Sequence, residues 1–385
     1  MIANFNYRNP VNIVFGENTL DQLSSYLPKK KILLVYGQGS IKKNGVYDRI
    51  LAVTSDLSMV EFAGIEANPK FETLMKAVEL GRKEKVEFIL AVGGGSVVDG
   101  AKFIAAAIPF EGDEWSILKD NAKVTAAIPL GTVLTLPATG SEMNSGAVIS
   151  RKSTNEKLYF GTPLCYPVFS IMDITTIESL PLRQKANGVV DAFVHTTEQY
   201  MTYPVNAKLH DHFAESILKT LIEEGPQYVN GSFDKEVASN IMFTAMMALN
   251  GWLSTGVPTD WSIHSVGHEL TAFHGLDHGQ SLAVLLPSMY KKMMPEKLEK
   301  LVQFAERVWG VTEGSKEQKA LKAIELTEAF FNKLGVNTRI SNYADGLETT
   351  KKAISDRFKD RGWVKLGENG SVTPEVIEDI LEMAW

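Results

Sequence analysis

Short apolar runs alternate with amphipathic stretches along the first half of the chain. The runs of strand length cover residues 12–15, 31–36, 59–62, 88–92, 124–128, 132–136, 147–150, 157–160 and 168–172. Between them, residues 69–83 and 97–107 carry apolar side chains at helical spacing. Strands that alternate with helices predict an α/β domain with a parallel or mixed sheet.

After Pro181 the pattern becomes helical, with few strand-like runs. The predicted helices cover residues 182–201, 206–224, 235–254, 295–309 and 317–334. We therefore expect an α/β dinucleotide-binding domain over residues 1–180 and an all-helical metal-binding domain over residues 181–385. A cleft between two domains is the usual place for a small-molecule site.

Glycines follow two of the predicted strands at the point where each strand ends. The strand 31–36 runs into Gly37, Gly39 and Ser40, and the strand 88–92 runs into Gly93-Gly94-Gly95-Ser96. Glycines between a strand and a helix N-terminus let a phosphate approach backbone N–H groups. A structural turn explains the first segment equally well, and Ser96 could simply cap its helix. Together the two turns predict a nucleotide at the carboxyl edge of the sheet.

Histidines are concentrated in one short stretch of the helical half. The chain has seven, and four of them (His264, His268, His274 and His278) lie within fifteen positions. Upstream, Asp191 and His195 are spaced i, i+4 in an apolar helical segment, so they share one face. The alternatives are a His-rich surface helix and a simple Asp–His hydrogen bond. A carboxylate combined with several imidazoles is a ligand set that suits zinc or ferrous iron.

Composition narrows the class of protein. A chain of 385 residues exceeds the size of a single hydrophobic core, which agrees with two domains. The net charge of −7 and the lack of a basic block argue against nucleic acid or an anionic membrane as partners. The single cysteine, Cys165, allows no intrachain disulfide and favours a cytoplasmic location. No apolar run approaches the ~18 residues that a membrane span needs.

Four motifs carry a resemblance to a known family. They are Gly93-Gly-Gly-Ser-Val-Val-Asp99, Leu136-Pro-Ala-Thr-Gly-Ser-Glu142, Gly188-Val-Val-Asp-Ala-Phe-Val-His195, and His264 with His268 and His278-Gly. The chain resembles the iron-dependent (group III) alcohol dehydrogenases over essentially its whole length. Within them it is most similar to the butanol-dehydrogenase-like branch of NADPH-dependent aldehyde reductases.

The resemblance implies a fold and a set of site residues. The fold is a Rossmann-like sheet domain followed by an all-helical domain, as in dehydroquinate synthase, and the family commonly forms homodimers. Asp191, His195, His264 and His278 would bind one divalent cation, iron or zinc, and His268 would act near the nicotinamide. The implied cofactor-contacting positions are Gly94, Gly95, Ser96, Asp99, Thr135, Thr139, Asn144, Lys157 and Thr176, in addition to Gly37, Gly39 and Ser40.

The implied activity is reversible hydride transfer between NADPH and short-to-medium-chain aldehydes. NAD-preferring relatives tend to carry an acidic residue where this chain has Gly39, and such an acid would repel a 2′-phosphate. Gly39-Ser40 with Lys42 and Lys43 nearby therefore favours NADPH. Two alternatives remain within this fold, an NAD-dependent polyol dehydrogenase and a lyase-type enzyme that uses the nicotinamide only transiently.

Overall fold

Eight strands form within the first 173 residues of the computed structural model, which describes all 385 residues. They are β1 (Asn12–Gly16), β2 (Ile32–Tyr36), β3 (Met59–Phe62), β4 (Phe88–Gly94), β5 (Leu130–Leu136), β6 (Gly146–Arg151), β7 (Glu156–Gly161) and β8 (Phe169–Asp173). Six of them pair in parallel in the order β1-β8-β5-β4-β2-β3, and β6 and β7 form an antiparallel hairpin. The predicted Rossmann-like α/β architecture is confirmed.

The helices of this part connect the strands. They are α1 (Ser40–Lys43), α2 (Val46–Val53), α3 (Phe71–Glu84), α4 (Gly95–Ala107) and α5 (Ser116–Lys119). Short 3-10 segments cover Thr19–Ser25, Ser141–Met143, Pro163–Cys165 and Ile174–Ile177.

Both faces of the parallel sheet are buried, which explains why β2 and β4 are continuously apolar. Side chains alternate between the faces, so Leu33 and Val35 join one hydrophobic core while Ile32 and Leu34 join the other. Cys165 is buried in the first core, and burial raises the pKa of its thiol to about 12. This agrees with a packing role for Cys165 rather than a nucleophilic one.

One predicted strand is wrong. Residues 124–128 are irregular, and β5 begins only at Leu130, after Pro129. The N–H of Ile128 donates to the carbonyl of Ala105 at the end of α4, so this segment bonds to a helix and not to a neighbouring strand. Its apolar side chains pack against the core without joining a ladder.

The second half is helical, as predicted. Its helices are α6 (Leu182–Tyr200), α7 (Lys208–Asn230), α8 (Lys235–Ala248), α9 (Ser262–His274), α10 (His278–Lys292), α11 (Met294–Arg307), α12 (Lys316–Lys333), α13 (Leu347–Asp360) and α14 (Pro374–Ala384), with a 3-10 turn at Ile340–Asn342. No helix of the protein combines the length and the apolar character that crossing a membrane requires.

The chain divides into two units. The sheet unit comprises Arg8–Pro181 and Phe233–Met246, so most of α8 belongs to it. The helical unit comprises Met1–Tyr7, Leu182–Ser232 and Met247–Trp385.

Asp173 ties the end of β8 to its surroundings in the sheet unit. Its buried carboxylate accepts hydrogen bonds from the N–H groups of Asn18 (3.2 Å), Leu20 (3.1 Å) and Thr175 (3.0 Å), and pairs with the Arg49 guanidinium at 3.0 Å. Burial alone would raise the pKa of Asp173, but these donors outweigh it and hold the pKa below its usual value.

We expect Asp173→Asn to destabilise the sheet unit by about 3 kcal/mol at pH 7, because Arg49 would lose its buried partner. Thermal and urea unfolding would measure the loss. A carboxylate whose pKa is lowered by folding stabilises the folded state at pH values above its unfolded pKa, and this stabilisation is lost as the pH falls. The difference in unfolding free energy between the wild type and Asp173→Asn should therefore narrow below about pH 4. Asp21→Asn is the matched control, because Asp21 also contacts Arg49 but its side chain is 63% exposed. An equal effect of both substitutions would contradict this assignment.

Candidate metal centre and nucleotide-binding turns

Asp191, His195, His264 and His278 converge in the helical unit. Asp191 and His195 lie one turn apart on α6, His264 lies in the first turn of α9, and His278 begins α10. From Asp191 Oδ1 the distances are 3.5 Å to His195 Nδ1, 3.7 Å to His264 Nε2 and 3.5 Å to His278 Nε2. All four donor atoms lie within 4.8 Å of one another. Donors ~2.1 Å from a tetrahedral ion lie about 3.4 Å apart, so this spacing fits one metal ion.

The start of α10 is held against α6, which brings His278 to the cluster. Asp277 caps α10 in a capping box with Gln280 and also accepts from Arg183 (2.6 Å) and Asn187 (2.7 Å) of α6. A side chain at Gly279 would place its Cβ 2.6 Å from the Asn187 carbonyl oxygen. The glycine after His278 is therefore required by this close approach of backbones, whatever the site binds.

The electrostatics of the cluster suit a cation. Burial lowers the pKa of His195 to about 4, so its ring is neutral at pH 7, as a metal ligand must be. At His264 burial also acts to lower the pKa, but the carboxylates of Glu198 and Asp191 outweigh it and raise the pKa to about 9. The surroundings of His264 thus favour a positive charge at this point.

The hydrogen bonding of two ring nitrogens indicates whether these residues fit a metal ion. His195 Nδ1 and His264 Nε2 are buried and have no hydrogen-bond partner. Buried polar atoms without partners are costly in a folded protein. One carboxylate and three imidazoles around these atoms form a donor set that Fe²⁺ or Zn²⁺ accepts.

His268 and His274 lie outside this group of four. The His268 ring centroid is 5.5 Å from that of His278 and 6.3 Å from that of His264, and His268 contributes no atom to the cluster. The Nε2 atom of His274 is hydrogen-bonded to Thr350 Oγ1 at 2.8 Å.

Glu198 is a residue that the sequence analysis missed. Its buried carboxylate forms a hydrogen bond with His264 Nδ1, the ring nitrogen that faces away from Asp191. Glu198 follows Asp191 and His195 at helical spacing, and three such polar residues on one apolar helix could have been recognised as a single face.

In the sheet unit, strand order identifies where a nucleotide would bind. From β2 the chain moves outward to β3, and from β4 it moves the other way to β5, so the order reverses between β2 and β4. Ligands of such sheets bind at the carboxyl ends of the strands at this reversal. Gly37, Gly39 and Ser40 follow β2, while Gly94, Gly95 and Ser96 lie where β4 gives way to α4. The structure therefore brings the two predicted turns to adjacent strand ends.

Packing at Gly94 and Gly95 and the backbone conformation at Gly39 require glycine, independently of any ligand. A Cβ at Gly94 would lie 2.9 Å from the Leu136 side chain, and one at Gly95 would lie 2.4 Å from that of Thr139. Gly39 has φ +103°, a backbone conformation that residues with a side chain rarely adopt.

The hydroxyl of Ser96 accepts from the N–H of Asn68, whose side chain in turn accepts from Lys157 at 2.9 Å. Asn68 was not predicted as a site residue; its φ of 55° lies in the left-handed region, which asparagine adopts more often than most residues.

Several predicted cofactor residues hold the loop after β5 in place. The carboxylate of Asp99 accepts from Ser141 (2.6 Å) and from the N–H of Val148 (2.9 Å). The amide oxygen of Asn144 accepts from Lys102 Nζ at 2.9 Å. Lys102, also missed, is fully buried; burial lowers its pKa to about 8 even though the nearby Asp99 acts to raise it.

Three further predicted residues are part of the same region. Thr176 donates to the carbonyl of Leu134 at 2.7 Å, and Thr139 accepts from the N–H of Ser141 at 3.2 Å. Thr135, at the end of β5, is buried.

Comparisons with known proteins agree with this architecture. The model of the iron-containing alcohol dehydrogenases matches residues 10–174, and that of the C-terminal domain of the Fe-containing alcohol dehydrogenase family matches residues 185–385. The NADPH-dependent aldehyde reductase YqhD of Escherichia coli is 50% identical over 99% of both chains. NADH-dependent butanol dehydrogenase A of Clostridium acetobutylicum is 36% identical over 99% of both chains.

Solved structures give the same result. The crystal structure of E. coli YqhD has a TM-score of 0.98 at 48% identity and covers 100% of this chain and 99% of its own. That of NADH-dependent butanol dehydrogenase A from Thermotoga maritima has a TM-score of 0.94 at 32% identity, with the same coverage.

The metal content of substituted proteins should distinguish the four clustered residues, which we expect to bind the ion, from His268, which we do not. We expect Asp191→Ala to lose stoichiometric Fe²⁺ or Zn²⁺ after dialysis, because three imidazoles without the carboxylate bind the ion less tightly. His268→Ala should retain the metal but lower turnover by a factor of about 10²–10⁴, the usual contribution of a proton-transferring group. Elemental analysis and steady-state kinetics measure both. Loss of metal from His268→Ala would instead make His268 a ligand.

Proposed function

Because the chain belongs to the iron-containing alcohol dehydrogenase family, we propose that it is a metal- and NADP(H)-dependent alcohol dehydrogenase acting as an aldehyde reductase. The observation that carries the proposal is the convergence of Asp191 with three imidazoles at metal-binding distances. The reaction is reversible hydride transfer between NADPH and short-to-medium-chain aldehydes.

The residues of the helical unit have separate roles in this proposal. Asp191, His195, His264 and His278 hold one divalent ion, iron or zinc. When bound, that ion supplies a Lewis acid for a carbonyl oxygen. His268, beside His278 but outside the ligand set, moves a proton to or from the reacting oxygen through a ring nitrogen, directly or through water.

The residues of the sheet unit bind and orient NADP(H). The N–H groups at the start of α4, with Gly94, Gly95 and Ser96, take the pyrophosphate. Thr135, Thr139 and Asn144 belong to the loop that follows β5, and Asp99 and Lys102 keep that loop in its shape. Residues 1–180 then act as the dinucleotide-binding domain and residues 181–385 as the metal-binding domain.

The preference for NADPH rests on the turn after β2. Gly39 places no carboxylate there, and Ser40 offers a hydroxyl to a 2′-phosphate. Lys42 is already engaged, since its ammonium lies 4.3 Å from the Tyr47 ring centroid and 3.9 Å from Glu61. We therefore assign the phosphate-contacting charge to the exposed Lys43. The name of the relative that is 50% identical, an NADPH-dependent aldehyde reductase, supports this choice over the NADH-dependent relative at 36%.

The same proposal covers assembly and location. We propose that the protein acts as a cytoplasmic homodimer. Its one cysteine is buried and free, which suits a reducing compartment. Small-molecule aldehydes and alcohols are its partners.

The function is tested by the oxidation of NADPH in the presence of butanal. We expect metal-loaded protein to consume NADPH only when aldehyde is added, to use NADH more slowly, and to lose activity after chelation of the metal. Re-addition of Fe²⁺ or Zn²⁺ should restore it. Failure with both cofactors across a panel of aldehydes would favour the lyase-type alternative.

Gly39→Asp should reduce the preference for NADPH over NADH. A carboxylate at this turn repels the 2′-phosphate and accepts from the ribose hydroxyls, so the ratio of kcat/KM values should fall by a factor of about ten or more. Gly45→Asp is the matched control. Gly45 also has a positive φ (+82°) with nothing within 4 Å of a Cβ, so the control reproduces the backbone strain and the added charge. An equal change in both variants would refute the role of Gly39.

A further inference from the structure

Glu198 is a fully buried carboxylate that neither the ligand set nor the family motifs account for. It lies on α6, seven residues after Asp191, and its side chain is 0% exposed. A buried carboxylate must be compensated by donors or by a cation. Its partners all belong to the start of α9, the helix that carries His264.

Four donors converge on this one carboxylate. Oε1 accepts from the backbone N–H groups of Trp261 (3.2 Å) and Ile263 (2.7 Å). Oε2 accepts from the backbone N–H of His264 at 3.2 Å and from the Nδ1–H of the same residue. The side chain therefore caps α9 and holds the ring of His264 at the same time.

This arrangement of donors requires a side chain at position 198 that only accepts hydrogen bonds. The three backbone groups cannot do anything but donate, and an ionised carboxylate offers acceptor sites to all of them and to the ring. When the ring of His264 is neutral and its Nδ1–H donates to Glu198, its lone pair is on Nε2, the atom that lies 3.7 Å from Asp191 Oδ1. The contact thus selects the tautomer and the ring orientation that a metal ligand needs.

The backbone around these donors is held in an unusual conformation. Trp261 has φ +111°, which a side-chain-bearing residue rarely adopts, and its indole packs edge-on against His264 with ring centroids 5.5 Å apart. The preceding residue is anchored as well, because the N–H of Asp260 donates to the backbone carbonyl of Glu198 at 2.9 Å. The carboxylate of Asp260 also pairs with the buried Lys297 at 3.0 Å.

We propose that Glu198 is the positioning residue of the metal centre. It presents His264 as a preformed ligand by fixing the Nδ1–H tautomer, the ring orientation and the start of α9 together. This inference rests on the metal site of the proposed function.

Glu198→Gln is the informative substitution because an amide cannot satisfy this set of donors. If its NH₂ group faces His264 Nδ1, the ring must carry its proton on Nε2, the atom needed for the metal. If its oxygen faces Nδ1, the NH₂ group meets the backbone N–H groups of Trp261 and Ile263. In both orientations the volume is conserved and the ligand is lost or distorted.

The experiment measures binding of Co²⁺ to the metal-stripped full-length protein by competition with a chromophoric chelator, together with the visible absorption of the bound ion. For Glu198→Gln we expect a dissociation constant roughly 10–100 times higher and a changed visible spectrum. Glu215→Gln is the matched control, since Glu215 is also a buried carboxylate of the helical unit but accepts from Tyr200, Gln303 and Arg307. It should leave both readouts unchanged.

The outcomes separate this inference from the proposed function. If wild-type protein binds no Co²⁺, the metal site itself fails. If wild type and Glu198→Gln bind with dissociation constants within twofold and with the same spectrum, Glu198 is only a structural cap and the inference is overturned. Should Glu198→Gln not fold, Glu198→Asp decides instead. It keeps the charge but is one methylene shorter, so we expect weaker binding, and wild-type affinity would overturn the inference.

Discussion

The helical unit depends on the compensation of negative charge that is buried among histidines. Asp191 and Glu198 are both carboxylates of α6, and both lie in the interior of the unit. Burying one unpaired carboxylate costs several kcal/mol, so each needs a positive or donating environment. Glu198 obtains it from the N-terminus of α9. Asp191 lies among three imidazoles, and this is the environment that a divalent cation would complete.

The geometry of several chain segments follows from that constraint. Trp261 adopts a conformation that costs roughly 1–3 kcal/mol for a residue with a side chain. The hydrogen bonds to Glu198 and the buried pair of Asp260 with Lys297 hold it there. Next to His278, Gly279 lets the start of α10 come against Asn187 of α6. A strained residue thus lies close to His264 in the chain, and a close backbone approach lies next to His278.

In the sheet unit, glycines and one buried lysine fix the chain segments that follow β4 and β5. Gly94 and Gly95 allow β4 to turn into α4 directly beneath Leu136 and Thr139. Lys102 then donates to Ser141, Asn144 and the carbonyl of Gly146, which fixes the loop after β5. A nucleotide bound as proposed would take the N–H groups at the start of α4, which have no acceptor within the helix. Rigid surroundings of this kind reduce the entropic cost of ordering a nucleotide.

Much of this was determined by the sequence alone. Apolar runs that end in glycines predict the parallel sheet and its two turns, because periodicity and backbone freedom are local properties. The i, i+4 spacing of Asp191 and His195 and the histidine stretch likewise predict a shared cluster. One local expectation was wrong for a tertiary reason: at residues 124–128 a bond to Ala105 replaces strand pairing.

Only the tertiary structure decided which groups face one another. Glu198 has an ordinary helical position in the sequence, and its four donors come from a segment more than sixty residues further along the chain. Asn68 and Trp261 have positive φ angles; asparagine adopts this conformation more often than most residues, but a tryptophan gives no such signal. The separation of His268 from the other four residues depends on the direction of each ring, and tertiary packing determines that direction. Residue types and spacing therefore determined the chemistry that this chain can perform, and long-range packing decided which atoms are placed to perform it.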